Sequence, residues 1–95
     1  MAVVVEMPVR SASRVPHDLL DERIEAVMRE KGGPPAGLMA QVNRPDEDGF
    51  LMIGVWRSES EMRDFHESTL LPQLAAVGLQ VGGQTVWPVW TFARP

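Results

Sequence analysis

The chain has 95 residues, which suits a single domain (1–95) with a small core. Its formal net charge of −4 argues against a nucleic-acid-binding protein, and the absence of cysteine excludes disulfides, thiolate nucleophiles and cysteine-ligated metal centres. No segment approaches the ~20 apolar residues of a membrane span, and the amino terminus lacks the features of a signal peptide. We therefore expect a cytoplasmic protein that binds neither nucleic acid nor membrane.

The amino-terminal third predicts one strand and one helix. Residues 2–7 are rich in valine and precede Pro8, which favours a strand that ends at the proline. Residues 16–31 place apolar side chains at helical spacing, with Pro16 in the first turn and acidic residues close behind it. The sequence Gly-Gly-Pro-Pro at 32–35 ends this helix.

Two further strands are predicted at residues 37–43 and 49–56, joined by the turn-rich residues 44–48. A link of this length makes the strands adjacent and antiparallel. The expected register pairs Arg44 with Gly49, Asn43 with Phe50 and Gln41 with Met52.

This register predicts the side chains on each face of the hairpin. One face is mixed and is assigned to a ligand cleft: Met39, Gln41, Asn43, Phe50, Met52, Gly54 and Trp56. The other is aliphatic and is assigned to a contact between subunits: Leu38, Ala40, Val42, Leu51, Ile53 and Val55. A slip of one residue would exchange the two assignments.

A second helix follows, with Ser58 as its amino-terminal cap and Glu61 reaching back to it, as in a capping box. Pro72 predicts a kink or restart, and Gly78 ends the helix. The side chains on its cleft side are Met62, Phe65, His66, Thr69 and Leu70.

The last predicted strand, residues 85–92, contains Pro88 and therefore belongs at a sheet edge. The order β-α-β-β-α-β predicts an α+β, ferredoxin-like sandwich with a four-stranded antiparallel sheet and both helices on one face. Residues 51–55 are apolar at every position, which indicates a sheet that is covered on both faces. Since the helices cover one face, we expect a second copy of the chain on the other, forming a homodimer.

Residues 55–65, Val-Trp-Arg-Ser-Glu-Ser-Glu-Met-Arg-Asp-Phe, resemble the junction between third strand and second helix in the dimeric α/β-barrel superfamily. Gly37-Leu38 and Leu71-Pro72 are similar to small members of the superfamily, which includes antibiotic-biosynthesis monooxygenase-like proteins. The resemblance implies two sheets packed face to face and one cleft per subunit between sheet and helices. Members oxidise phenolic or anthrone-like polyketides without metal or flavin, cleave haem, cyclise intermediates, or have no known role.

The sequence departs from the haem-degrading branch of this superfamily. That branch carries an asparagine on the first strand, where this chain has no asparagine, and a histidine late in the second helix, where it has Leu74-Ala75-Ala76. His66 lies about two turns before that position. Haem cleavage is therefore not expected, and we predict a protein without a cofactor or a metal.

His66 is the candidate catalytic residue, because an imidazole that faces an apolar cleft can take a proton from an acidic phenol or enol at neutral pH. Gln41 and Asn43 are candidates to orient a substrate oxygen. Gly54 leaves space beneath the second helix, and the predicted lining side chains are Met52, Trp56, Met62 and Phe65. Trp87 and Trp90 are candidates for an aromatic wall with Trp56, although aromatic side chains more often serve a core or an interface. His17 is expected to be solvated.

Two functions remain open from the sequence. The first is a cofactor-independent oxygenase or cyclase that acts on a small hydrophobic, aromatic or polyketide-like molecule. The second is a non-catalytic small-molecule-binding or assembly protein. The position of His66 distinguishes them, since the first requires its side chain to face a cavity.

Overall fold

The computed structural model describes residues 1–94 and confirms the α+β, ferredoxin-like architecture. One sheet carries the helices on a single face. Its elements are β1 (Val3–Arg10), α1 (Val15–Glu30), β2 (Leu38–Asp46), β3 (Gly49–Trp56), α2 (Glu59–Phe65), a π-helical turn (His66–Leu70), α3 (Leu71–Ala76), β4 (Gln80–Val81) and β5 (Thr85–Pro88). No helix within these residues is long and apolar enough to cross a membrane.

The sheet has the order β2-β3-β1-β4, and β5 also pairs with β1. All pairings are antiparallel. The predicted fourth strand is present as β5, and β4, which was not predicted, precedes it along the same edge, which gives five strands instead of four. Pro88 is the last residue of β5, so the prediction of a strand through residue 92 is wrong, although its edge position is confirmed.

β1 continues through Pro8, contrary to the prediction that the proline ends it. The carbonyl oxygen of Pro8 accepts a hydrogen bond from the backbone N–H of Gly82 at 2.8 Å. Because the nitrogen and oxygen of one strand residue point to the same side, the Pro8 nitrogen faces the interval between β4 and β5. No strand pairs with β1 at that point, so the N–H group that proline lacks removes no hydrogen bond between strands. The strand therefore tolerates Pro8.

The β2–β3 hairpin is longer than predicted, with Asp46 opposite Gly49 and a two-residue loop. Gln41 consequently pairs with Gly54, two residues from the expected partner. Since side chains alternate with a period of two, this shift leaves the helix-facing assignment of Gln41 unchanged. β2 also extends through Pro45 as an edge strand.

A register shift between Leu38 and Ala40 corrects one assignment. The shift turns Leu38 toward the helices, where it packs against the core cluster around Trp56. Its predicted place on the aliphatic outer face is therefore wrong. A β-bulge of this kind adds one residue to one strand and reverses the facing of the residues beyond it.

The core lies between the sheet and the helices in two clusters. The first contains Met7, Val9, Leu20, Phe50, Met52, Leu70, Leu74 and Leu79. The second contains Val3, Val5, Trp56 and Met62. Alternation along β1 and its paired strands places the remaining apolar side chains on the opposite, outer face: Val4, Ala40, Val42, Leu51, Ile53, Val55 and Trp87.

The second helix of the sequence prediction is divided into three segments. Ser58 caps α2 as predicted, since its hydroxyl accepts from the backbone N–H of Glu61 and donates to the Glu61 carboxylate. The π-helical turn follows, with the backbone N–H of Leu71 bonded to the carbonyl of His66. Pro72 has no N–H to donate to the carbonyl four residues earlier, and a wider turn relieves the clash of its ring. The predicted kink or restart before Leu74 is confirmed as a π-helical turn followed by α3.

Candidate functional site

The predicted site residues lie around the indole of Trp56, which is buried to 1% exposure at the end of β3. Phe65 packs on the indole with a centroid distance of 5.6 Å, and Met62 belongs to the same cluster. His66 meets the indole edge-on at 6.2 Å. The structure thus brings together the aromatic and histidine candidates of β3 and the second helix.

His66 opens the π-helical turn and is 6% exposed. It borders a cavity of about 340 Å³ lined also by Met7, Met62, Arg63, Glu67, Leu71, Val81, Gly82 and Gln84. Burial lowers the pKa of His66, and a side-chain contact with Gln84 opposes this effect in part. The imidazole is therefore favoured in its neutral form, which is the form that accepts a proton. π-Helical turns are frequent at functional sites.

Gln41 approaches the indole from the β2 side of the sheet, above Gly54. A Cβ atom on Gly54 would lie 2.8 Å from the Trp56 indole nitrogen and 2.9 Å from the Gln41 carbonyl oxygen. The glycine is therefore required for the indole and the amide to occupy these positions. The indole nitrogen Nε1 is buried, and it has no hydrogen-bond partner among residues 1–94.

A chain of hydrogen bonds leads from α1 to this point. The Asp18 carboxylate lies 2.9 Å from His17 Nδ1, and His17 Nε2 lies 3.1 Å from the Asn43 amide nitrogen. The Asn43 carbonyl in turn accepts from the amide of Gln41 at 2.9 Å. The bond to His17, with Arg14 adding to it, lowers the pKa of Asp18. We call these four residues, Asp18, His17, Asn43 and Gln41, the α1–β2 chain.

His17 is the residue whose role the sequence prediction missed. The prediction of a solvated side chain is wrong, because the His17 side chain is only 21% exposed. Its ring stands edge-on to Phe50 with a centroid distance of 4.9 Å. Together with Asn43 it borders a cleft of about 480 Å³ between the start of α1 and the β2–β3 hairpin. The adjacent His17-Asp18 pair is visible in the sequence, but its contact with Asn43 depends on where α1 packs across β2.

Other candidates lie away from this arrangement. Met52 belongs to the first core cluster, separate from the cluster of Trp56. Trp87 is half exposed on the outer face, and Trp90 is almost fully exposed beyond β5, so these two do not form a wall with Trp56. In the described part of the chain, no three His, Cys, Asp or Glu side chains lie close enough together to hold a metal ion.

The sequence matches no protein-family profile and no curated protein. Solved structures are similar in fold. A variant of SnoaB, a cofactor-independent oxygenase from Streptomyces nogalater, has a TM-score of 0.62 at 12% identity, covering 96% of this chain and 94% of that one. Rv0793 from Mycobacterium tuberculosis has a TM-score of 0.63 at 19% identity, with coverage of 99% and 100%.

A proposed antibiotic biosynthesis monooxygenase from Deinococcus radiodurans has a TM-score of 0.61 at 14% identity, with coverage of 100% and 98%. These likenesses extend over nearly the whole of each chain. The fold is therefore that of the antibiotic-biosynthesis monooxygenase-like proteins, as the residues around Trp56 predicted.

Proposed function

We propose that this chain is a cytoplasmic, homodimeric and cofactor-independent oxygenase that acts on a hydrophobic aromatic molecule with an acidic phenol or enol. The observation that carries the proposal is His66, a buried histidine beside Trp56 that borders a cavity of about 340 Å³ and is favoured as a neutral base. The likeness in fold to a protein named as a cofactor-independent oxygenase supports the same reaction type.

His66 would act as the general base. Its neutral imidazole takes the proton of the bound phenol or enol, and the resulting anion is electron-rich enough to reduce dioxygen directly. A carbon–oxygen bond forms at the activated ring carbon to give a hydroperoxide. Protonated His66 supplies the proton of this hydroperoxide, and the neutral ring then removes the hydrogen still bonded to the same carbon as a proton. The carbonyl group forms as the O–O bond breaks, and the departing hydroxide takes the proton back from His66 and leaves as water. One atom of dioxygen enters the product and the other leaves as water.

Apolar side chains form part of the lining of the cavity at His66. Met7, Met62 and Leu71 border it, and Trp56 and Phe65 pack behind His66 as part of the core. Gln41 and Asn43 lie on the β2 side of the indole, outside this cavity. The substrate would therefore be a molecule small enough for the cavity of about 340 Å³, with its acidic hydroxyl at His66.

A dimer through the outer sheet face belongs to the same proposal. Apolar side chains from four strands lie on this face beside the charged Glu6, and Val42 and Trp87 on it are 56% and 53% exposed in the single chain. A monomer that leaves such a surface in water is unfavourable, and a second copy would cover it. Light scattering at micromolar concentration should give twice the chain mass of 10.6 kDa. A mass of one chain would contradict this part of the proposal.

The catalytic part is tested by oxygen consumption with anthrone as the probe substrate, in the presence of a metal chelator. His66→Gln should lower kcat by about 10²–10⁴-fold, because it removes the general base while keeping a polar side chain of similar size. Glu22→Gln, an exposed change on α1, is the matched control and should keep full activity.

A variant His66→Gln that keeps the wild-type kcat would rule out His66 as the base. Anthrone or phenol binding without oxygen consumption by the wild-type chain would instead support the non-catalytic binding protein.

A further inference from the structure

We propose that the amide carbonyl of Gln84 accepts the N–H of His66 and stabilises the imidazolium that forms when His66 takes a proton from the ligand. The reaction that delivers this proton rests on the proposed function. The stabilisation belongs to the ring itself, so it is measurable without ligand or oxygen. Gln84 is a positioning residue in this proposal, because it acts on the reacting hydroxyl through His66.

The register of β5 on β1 directs Gln84 toward the helices. Thr85 pairs with Glu6 on the outer face of the sheet, and side chains alternate along a strand, so the preceding side chain, Gln84, points to the opposite face. Gln84 accordingly borders the cavity at His66 together with Met7, which is buried on the helix-facing side of β1.

Gln84 is the hydrogen-bonding side chain that reaches His66 from the side of the sheet. The two side chains are in contact. The other sheet residues that border the cavity, Met7, Val81 and Gly82, carry no amide, hydroxyl or carboxylate group. An acceptor for the ring on this side of the cavity is therefore the Gln84 carbonyl.

The charged groups near the ring come from the helices. Arg63 and Glu67 border the cavity, and the Arg63 guanidinium lies 2.8 Å from the carboxylate of Glu59. From α1, the amino group of Lys31 donates to Thr69 in the π-helical turn at 3.2 Å. The carboxylate of Glu67 is exposed, so solvent weakens its effect on a buried ring. It is the competing acceptor that the experiment has to exclude.

Proton uptake creates the need for an acceptor at the ring. A neutral imidazole has one N–H, whereas the imidazolium has two and shares its charge between them. The two ring nitrogens point away from each other, so one can take the proton of the ligand hydroxyl while the other N–H donates to Gln84. Burial opposes the charged form, and the contact with Gln84 raises the pKa of His66 against this effect.

The decisive measurement is the NMR titration of the His66 ring in the ligand-free protein, assigned by its loss in His66→Gln. Gln84→Leu removes the acceptor and should lower the pKa of His66. Gln84→Glu supplies an ionised acceptor at the same position and should raise this pKa above that of the wild type. The rise should persist in about 0.5 M NaCl, which screens a distant charge much more than a direct pair.

Matched controls place the same changes outside the cavity. Gln80→Leu and Gln80→Glu alter an exposed residue of β4 and should keep the wild-type titration of His66. Glu67→Gln should also leave Gln84 as the acceptor and keep the order of the Gln84 variants. Since Gln84 is exposed, its variants should fold, and thermal unfolding checks this.

Oxygen consumption shows whether the stabilised cation matters for turnover. Gln84→Leu should lower kcat by about 10–100-fold, because the imidazolium loses a charge-assisted hydrogen bond. KM should stay within about twofold, since the hydrogen bond forms with His66 and not with the substrate. Gln80→Leu should keep the wild-type kcat.

A pKa of His66 that is the same in Gln84→Leu as in the wild type would overturn the proposal, and so would a Gln84→Glu variant without a raised pKa. A pKa that falls in Glu67→Gln but not in Gln84→Leu would make Glu67 the acceptor, which also overturns it. The expected order of pKa values without any oxygen consumption would sustain this inference while the oxygenase function fails. Oxygen consumption with an unchanged His66 titration in Gln84→Leu would do the reverse.

Discussion

The two histidines of this chain lie in contrasting surroundings, one mainly apolar and the other mainly polar. His66 is surrounded by Trp56, Phe65 and Met62, and burial is the main influence on its pKa. His17 lies between a carboxylate and an amide, which bond its two ring nitrogens. Both rings are partly shielded from water, but one is controlled by desolvation and the other by directed hydrogen bonds.

This difference separates two kinds of chemical control. Desolvation favours the neutral ring without fixing which nitrogen carries the proton, which suits a base whose partner is the substrate. Hydrogen bonds to both nitrogens fix the tautomer but occupy the ring, which suits a positioning residue. His66 is accordingly the histidine placed to take a proton from a ligand, and His17 the one placed to position Asn43 and, through it, Gln41.

The largest expected effect on stability comes from Gly54→Ala, which tests whether the surroundings of His66 are independent of the Gln41 side of Trp56. Gly54→Ala places a Cβ atom 2.8 Å from the Trp56 indole nitrogen, so the indole or Gln41 must move. We expect the free energy of unfolding to fall by about 1–3 kcal/mol in urea titrations. The Trp56 indole resonance should shift as well, while the pH titration of the His66 ring stays the same.

Gly83→Ala is the matched control, because a Cβ atom there meets nothing within 4 Å. Its free energy of unfolding should stay within about 0.5 kcal/mol of the wild type. A change in the pH titration of the His66 ring in Gly54→Ala would show that the Trp56 indole links His66 to Gln41. The two histidines would then not be under separate control.

A smaller effect should appear in the pH dependence of stability. Since the pKa of His66 is lowered below the ordinary 6.5, the unfolded chain takes up this proton first as the pH falls. The free energy of unfolding should therefore decrease as the pH falls through 6.5. Urea titrations at pH 7.5 and 5.5 measure this decrease, and this range lies above the ordinary pKa of the carboxylates.

His66→Leu should flatten the dependence by removing the buried titrating group, and Glu22→Gln should leave it intact. A slope that survives in His66→Leu would assign the effect to other groups. In that case burial would not distinguish His66 from His17.

Much of the fold could be predicted because the signals are local. The valine-rich run of β1, the helical spacing in α1 and the capping pair Ser58 and Glu61 each need only neighbouring residues. The helix-facing position of Gln41 also follows, since an error of two residues in register preserves the face. The bulge that turns Leu38 inward has no local sequence signal.

The candidate site was predictable only in part. The proximity of Trp56, Phe65 and His66 follows from one strand and the helix that succeeds it, so it could be expected. The contact of His17 with Asn43 joins residues 26 positions apart and depends on the packing of α1 on the sheet. Likewise, the unpaired indole nitrogen depends on the rotamer of Trp56, which the spacing of residues does not determine.

The divided strand beside β1 also has a consequence for the behaviour of the protein at high concentration. One sheet edge offers only the two residues of β4 and the four residues of β5, which ends in Pro88. The other edge, β2, contains a bulge and Pro45. Neither edge provides a long, regular row of free backbone groups, so fibril-like growth by strand addition is disfavoured. The proposed dimer would accordingly form through side chains of the outer sheet face, a contact that closes after two copies.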